Sequence, residues 1–115
     1  MAMSDFPSNY LHFSKAVHRV NKRYRINDSK ELLVLEAVLD AHIDGVEFAV
    51  LDLILLNEIA SQATLHSVMK GLILKKMIKT ETCTRDGRRK FVLPTKHGLA
   101  WLKDCSELLA TFHHQ

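Results

Sequence analysis

The sequence predicts a mostly α-helical domain carrying one small β-hairpin. The stretch from Cys83 to Thr95 holds a turn-forming Asp86-Gly87 pair with apolar and β-branched residues on both sides, a strong hairpin signal. Immediately upstream lies a helix-like segment, Ser61 to Lys76, opened by a serine start signal. Arg85, Arg88, Arg89 and Lys90 crowd around the turn pair, and positive charge gathered at a hairpin tip attracts a polyanion. Helix followed by basic hairpin is the order of a winged helix-turn-helix, here with one more helix at each end.

Each element has its own signal. Residues 1–8 read as a loose terminus ending at Pro7-Ser8. Tyr10, Phe13, Val17, Val20 and Tyr24 then recur at helical spacing, with Lys15, Arg19, Lys22 and Arg23 between them, so the first helix is amphipathic. Asn27-Asp28-Ser29 breaks it and supplies a cap for the next, whose apolar stripe is Leu32, Leu33, Leu35, Val38 and Leu39 and in which Glu31 or Glu36 stands early against the helix dipole. Asp44-Gly45 ends that helix. Val46-Glu47-Phe48 is short and β-like, a candidate edge strand, and a third helix is expected from Val50 to Ile59. Ser61 caps a fourth, Gln62 to about Lys76, with Leu65, Val68, Met69 and Leu72 turned inward. Ile78–Thr84 and Lys90–Leu93 are the hairpin strands, closed by Pro94 where a missing amide donor is tolerated. Thr95 starts a last helix through Leu99, Leu102, Leu108 and Leu109. The expectation is one domain over residues 1–115, with its core at 28–98 and flanking helices at about 9–26 and 95–112.

Composition narrows the function. At 115 residues and 47% hydrophobic content there is material for one modest core. The most apolar stretch, Phe48 to Leu56, is interrupted by Asp52 and is too short to span a bilayer, and the N-terminus lacks the pattern of a signal peptide. Cys83 and Cys105 stand far apart with no CxxC spacing, which argues for reduced thiols in a cytosolic protein and against zinc or a disulfide framework. Seven histidines, at 12, 18, 42, 66, 97, 113 and 114, show no ligand spacing, so no metal and no cofactor is expected. Nor do Ser, Cys, Asp and His form a nucleophile or acid/base motif, so no enzyme is expected.

The net charge of +3 hides a sharp segregation. Residues 1–30 carry six Lys/Arg against two acids, residues 31–60 carry seven acids and no Lys/Arg, and residues 61–98 carry nine Lys/Arg against two acids. Such separation marks where a nucleic acid can lie and where it cannot.

Residues 45–102 resemble the winged-helix domain of the MarR-like transcription regulators. The resemblance rests on Ser61-Gln62-Ala63-Thr64-Leu65-His66 opening one helix, on Leu72 and Ile78 closing it onto the hairpin, and on Asp86-Gly87-Arg88 with Phe91, Val92, Thr95 and Gly98. The spacings from Asp86 to Arg88, Thr95 and Gly98 match those of the family's wing. Lys76 stands where that family usually has Gly before the wing strand, and Pro94 replaces a common Leu.

In a helix-turn-helix the second helix enters the major groove, and its early residues meet base edges. Helical spacing puts Gln62, Ala63, His66, Ser67 and Lys70 outside. Gln62 suits adenine, Ala63 a thymine methyl, and His66 and Ser67 either donors or acceptors on base edges. Thr64, Lys70, Lys75, Lys76 and Lys79 suit phosphates, as do Arg85, Arg89 and Lys90 beside the hairpin tip. The resemblance implies Arg88 as the minor-groove residue, oriented by Asp86. The aromatic stripe of the first helix is expected to pack on the last helix or on a second subunit, and the resemblance implies a homodimer through the N- and C-terminal helices. The expected partner is double-stranded DNA, the expected role a repressor, and the effector is left open. The alternative is a winged helix that serves as a protein-interaction or replication/assembly module without operator-specific binding.

Overall fold

The computed structural model describes residues 2–85 and 87–113. The elements run α1 (Ala2–Arg23), α2 (Ser29–Ile43), α3 (Val50–Ile54), α4 (Gln62–Leu74), β1 (Ile78–Thr82), β2 (Lys90–Pro94) and α5 (Lys96–His113). The chain forms a mostly helical structure with a two-stranded antiparallel hairpin, the winged helix-turn-helix class, and divides into two compact units. One comprises residues 28–99; the other comprises residues up to 27 and from 100 onward.

In the 28–99 unit, Asp28 caps α2 by accepting from the amides of Lys30 (2.7 Å) and Glu31 (3.0 Å). Val34, Leu35, Val38 and Leu39 of α2, Leu53 of α3, and Leu65, Val68, Met69 and Leu72 of α4 form the core with Met77, Ile78 and Val92. Ser61 caps α4 through the Thr64 amide (3.3 Å). The hairpin pairs Ile78 with Pro94 through Thr82 with Lys90, and the Cys83 amide extends the ladder to the Arg89 carbonyl (2.7 Å).

Three helices end in the same way. At α1, α2 and α4 the residue after the cap is left-handed, at Arg25 (φ 62°), Gly45 (φ 71°) and Lys76 (φ 63°). The two amides that follow each cap fold back onto carbonyls of the last turn: Arg25 and Ile26 onto Lys22 and Asn21, Gly45 and Val46 onto His42 and Ala41, Lys76 and Met77 onto Ile73 and Leu72. Only the second uses glycine; the other two hold a long cation in a conformation that favours glycine. Lys76 thus adopts the backbone that explains why the resemblance expects Gly at its position.

Met77 carries the next step. Its carbonyl accepts from the Thr95 amide (3.1 Å), and the Thr95 hydroxyl lies within reach of both the Met77 carbonyl (3.1 Å) and that of Lys76. The same hydroxyl accepts from the Gly98 amide (3.0 Å), capping α5. A Cβ on Gly98 would stand 2.3 Å from the Met77 carbonyl oxygen. The Thr95–Gly98 spacing is therefore that of a helix cap and of a residue pressed onto backbone.

In the other unit, α1 and the later part of α5 meet through buried Ala16, Val20 and Trp101. The Trp101 indole donates to Asn21 (2.8 Å), the Tyr24 hydroxyl donates to Asp104 (2.7 Å), and Phe13 meets Phe112 edge to face at 5.7 Å. Burial, that hydrogen bond and the carboxylate together push the Tyr24 phenol pKa up.

Six sequence expectations need correction. Helix α1 starts at Ala2 rather than after Ser8, with Pro7 early in the helix at the loss of one intrahelical bond. Helix α3 stops at Ile54 rather than Ile59, because Leu55 caps it and the Leu56, Asn57 and Ile59 amides turn back on nearby carbonyls. The buried stripe of α2 includes Val34, while Leu33 is exposed and Leu32 half-buried: the core face follows 31, 34, 35, 38 and 39. Val46–Phe48 is not a strand; the pairing there is one bridge between Ala49 and Phe91, with the Val92 amide on the Phe48 carbonyl (2.7 Å). Finally, α4 ends at Leu74 and β1 at Thr82, each two residues early.

Gly98→Ala should destabilise the protein by about 2–3 kcal/mol, since the clash is with backbone that cannot rotate away. Chemical denaturation checks this, and an unchanged midpoint would remove Gly98 from the junction.

Candidate nucleic-acid interface

Helix α4 separates its residues cleanly. Leu65, Val68, Met69 and Leu72 are buried, whereas Gln62, Ala63, His66, Ser67 and Lys70 are exposed. The polar side chains are thus set by the apolar period, and an amide, an imidazole, a hydroxyl and an ammonium stand on one rigid helical face. Thr64 is half-buried, and its hydroxyl oxygen accepts from the Ser61 hydroxyl (3.1 Å).

The hairpin brings a second group. Arg85, Arg88, Arg89 and Lys90 are all exposed. The Arg89 guanidinium stands over the Phe91 ring at 5.2 Å, which fixes one cation against the sheet. Asp86, read as the residue that orients Arg88, lies outside the described residues, as do His114 and Gln115. Below the tip, an open groove is lined by Glu47, Phe48, Cys83, Arg85, Arg89 and Phe91 among others. Lys79 pairs with Glu81 at 3.9 Å; both side chains are more than half exposed, so the pair adds little stability.

Lys75 departs from the other lysines. Its ammonium forms an ion pair with Glu31 of α2, and the two side chains are only 20% and 11% exposed. The physical reason is its place as the α4 cap residue, where the chain turns toward α2. Its charge is engaged by a buried carboxylate. Lys76 is exposed at the left-handed turn, and Lys70 is exposed on α4. The sequence held one clue to the pair: Glu31 falls on the 31, 34, 35, 38 stripe, where a lone carboxylate needs a partner.

Among the described residues, no group of three or more His, Cys, Asp or Glu is gathered to hold a metal, and no helix is long and apolar enough to cross a membrane.

No protein-family model and no curated protein matches the chain. Solved structures do. The chain is similar to a Staphylococcus aureus MepR–DNA complex at 15% identity and a TM-score of 0.77, over 95% of this chain and 78% of that one. It is similar to a Bacillus cereus protein described as a MarR-like transcription regulator, at 15% identity and a TM-score of 0.56, over 96% and 76% of the two chains. It is also similar to heme-free PefR at 17% identity and a TM-score of 0.56, over 100% and 98%.

Lys75→Ala should cost about 1–3 kcal/mol of stability, because the buried Glu31 carboxylate loses the Lys75 ammonium. Lys70→Ala should leave stability within about 0.5 kcal/mol. Thermal unfolding of both checks this; equal effects would show that the Glu31 pair carries no weight. At this level of identity the likeness is one of architecture, and the chain has the winged-helix fold of the MarR-like regulators.

Proposed function

We propose that this protein is a MarR-like transcription regulator that binds double-stranded DNA, most simply as a repressor and not as an enzyme. In this reading α4 lies in the major groove, with Gln62, Ala63, His66 and Ser67 at base edges and Thr64, Lys70 and Lys76 at phosphates. Arg88 reads the minor groove, and Arg85, Arg89 and Lys90 hold the backbone beside it. The observation that carries the reading is the polar outer face of α4, joined through Met77 to a hairpin whose tip exposes four cations. The structural likeness to a MepR–DNA complex supports it.

The same reading includes a homodimer through the terminal helices. Tyr10, Leu11 and Leu109 are exposed there by 54–66%, a large apolar outlay for helices that face only water.

Selection of bound sequences from a random duplex pool tests the reading. A palindromic motif is expected, and its affinity should fall with salt at a logarithmic slope of about −4 or steeper, as for roughly five neutralised phosphates. Gln62→Ala and His66→Ala should relax the motif by about 1–3 kcal/mol at the affected base pairs and change random-DNA binding little. An unchanged motif would remove both from base reading, and absent or salt-insensitive binding would sink the proposal. Arg88→Ala should weaken binding about tenfold on A·T-rich flanks and less on G·C-rich ones. Equal loss on both would deny it the minor groove.

A further inference from the structure

The outward face of α2 is built against its own stability. Leu33, Glu36, Asp40, Ile43 and Asp44 recur at helical spacing on one side, and Val46 and Glu47 follow directly. Leu33, Ile43 and Val46 are 45%, 65% and 60% exposed. Glu36, Asp40 and Asp44 are exposed at successive four-residue steps, where like charges repel. Asp40 and Asp44 also stand at the helix C-terminus, the end of the macrodipole that favours cations. Lys30, the only Lys or Arg of α2, sits in its first turn, the end that favours anions. Among the described residues, none of the carboxylates of Glu36, Asp40, Asp44 and Glu47 forms an ion pair. A face that only met solvent would mix its signs and hide its large apolar side chains.

We propose that this face docks a cationic, amphipathic segment of another protein. The acids repel a nucleic acid and attract Lys and Arg, while Leu33, Ile43 and Val46 offer an apolar seam between them. A helix or extended strand with cations beside one apolar edge matches both features. Docking neutralises the repulsion along α2 and covers its exposed side chains. Most of this surface lies on α2, and only Glu47 also lines the groove below the hairpin tip; the inference does not depend on the DNA reading.

The test uses the full chain and two synthetic helical peptides, one with a Leu edge flanked by Lys and one with the same edge flanked by Glu. The Lys peptide should bind and slow amide exchange within residues 33–47, and the Glu peptide should not bind. Asp40→Lys creates oppositely charged neighbours at 36 and 44 and suits the dipole, so it should raise the melting temperature yet weaken the Lys peptide about tenfold. Ile43→Ser should weaken it similarly with little change in melting temperature. Undiminished binding to either variant, protection outside residues 33–47, or a lower melting temperature for Asp40→Lys would overturn the proposal. So would concentration-dependent self-association that Asp40→Lys abolishes, because the occupant would then be a second copy of this chain.

Discussion

The backbone at Met77 is the point through which the 28–99 unit holds together. Its amide closes the last turn of α4 onto Leu72, and its carbonyl receives the Thr95 amide. The same carbonyl sits where any side chain at Gly98 would have to go. Its own side chain is fully buried, and the next residue opens β1. One residue therefore ends the helix that carries Gln62 and His66, starts the hairpin that carries Arg88, and anchors the cap of α5. The left-handed Lys76 beside it makes the reversal sharp enough for all three. Backbone hydrogen bonds in a buried setting are costly to break, so these bonds tie the end of α4 to the start of the hairpin and to α5.

Charge is laid over this frame in an orderly way. Lysine and arginine dominate residues 61–98, and residues 31–60 have none. The Glu31–Lys75 pair joins the two sets inside the fold, one acid from α2 against one cation from the end of α4. The remaining acids of α2 point outward with no ion pair among the described residues. A polyanion approaching the unit is thus drawn by the later segment and repelled by the earlier one, a field that orients it before any contact forms. The same field makes the outer face of α2 suited to a partner of opposite sign.

Much of this was legible in the sequence, for reasons that differ by element. The α4 face was readable because Leu65, Val68, Met69 and Leu72 repeat at a clean helical period, and the hairpin because Asp86-Gly87 punctuates two β-rich runs. Thr95 and Gly98 could be noted as a spacing, but their role depends on Met77, far away in sequence. In α2, four successive apolar residues, Leu32 to Leu35, left the buried stripe ambiguous, and only packing chose Val34 over Leu33. The early end of α3 came from local carbonyl-directed turns that no residue signal announced. Lys75 looked like any exposed lysine because its partner lies in another helix.

In the proposed reading, α4 and the hairpin tip act together on one duplex while Met77 stays fixed. Backbone amide shifts of the labelled protein, titrated with a duplex chosen by selection, test it most directly. Concerted changes are expected at Gln62 to Lys70 and at Arg85, Arg88, Arg89 and Lys90 at one stoichiometry, with Met77 and Ile78 nearly still. Changes confined to one of the two segments, or centred on residues 33–47, would contradict it.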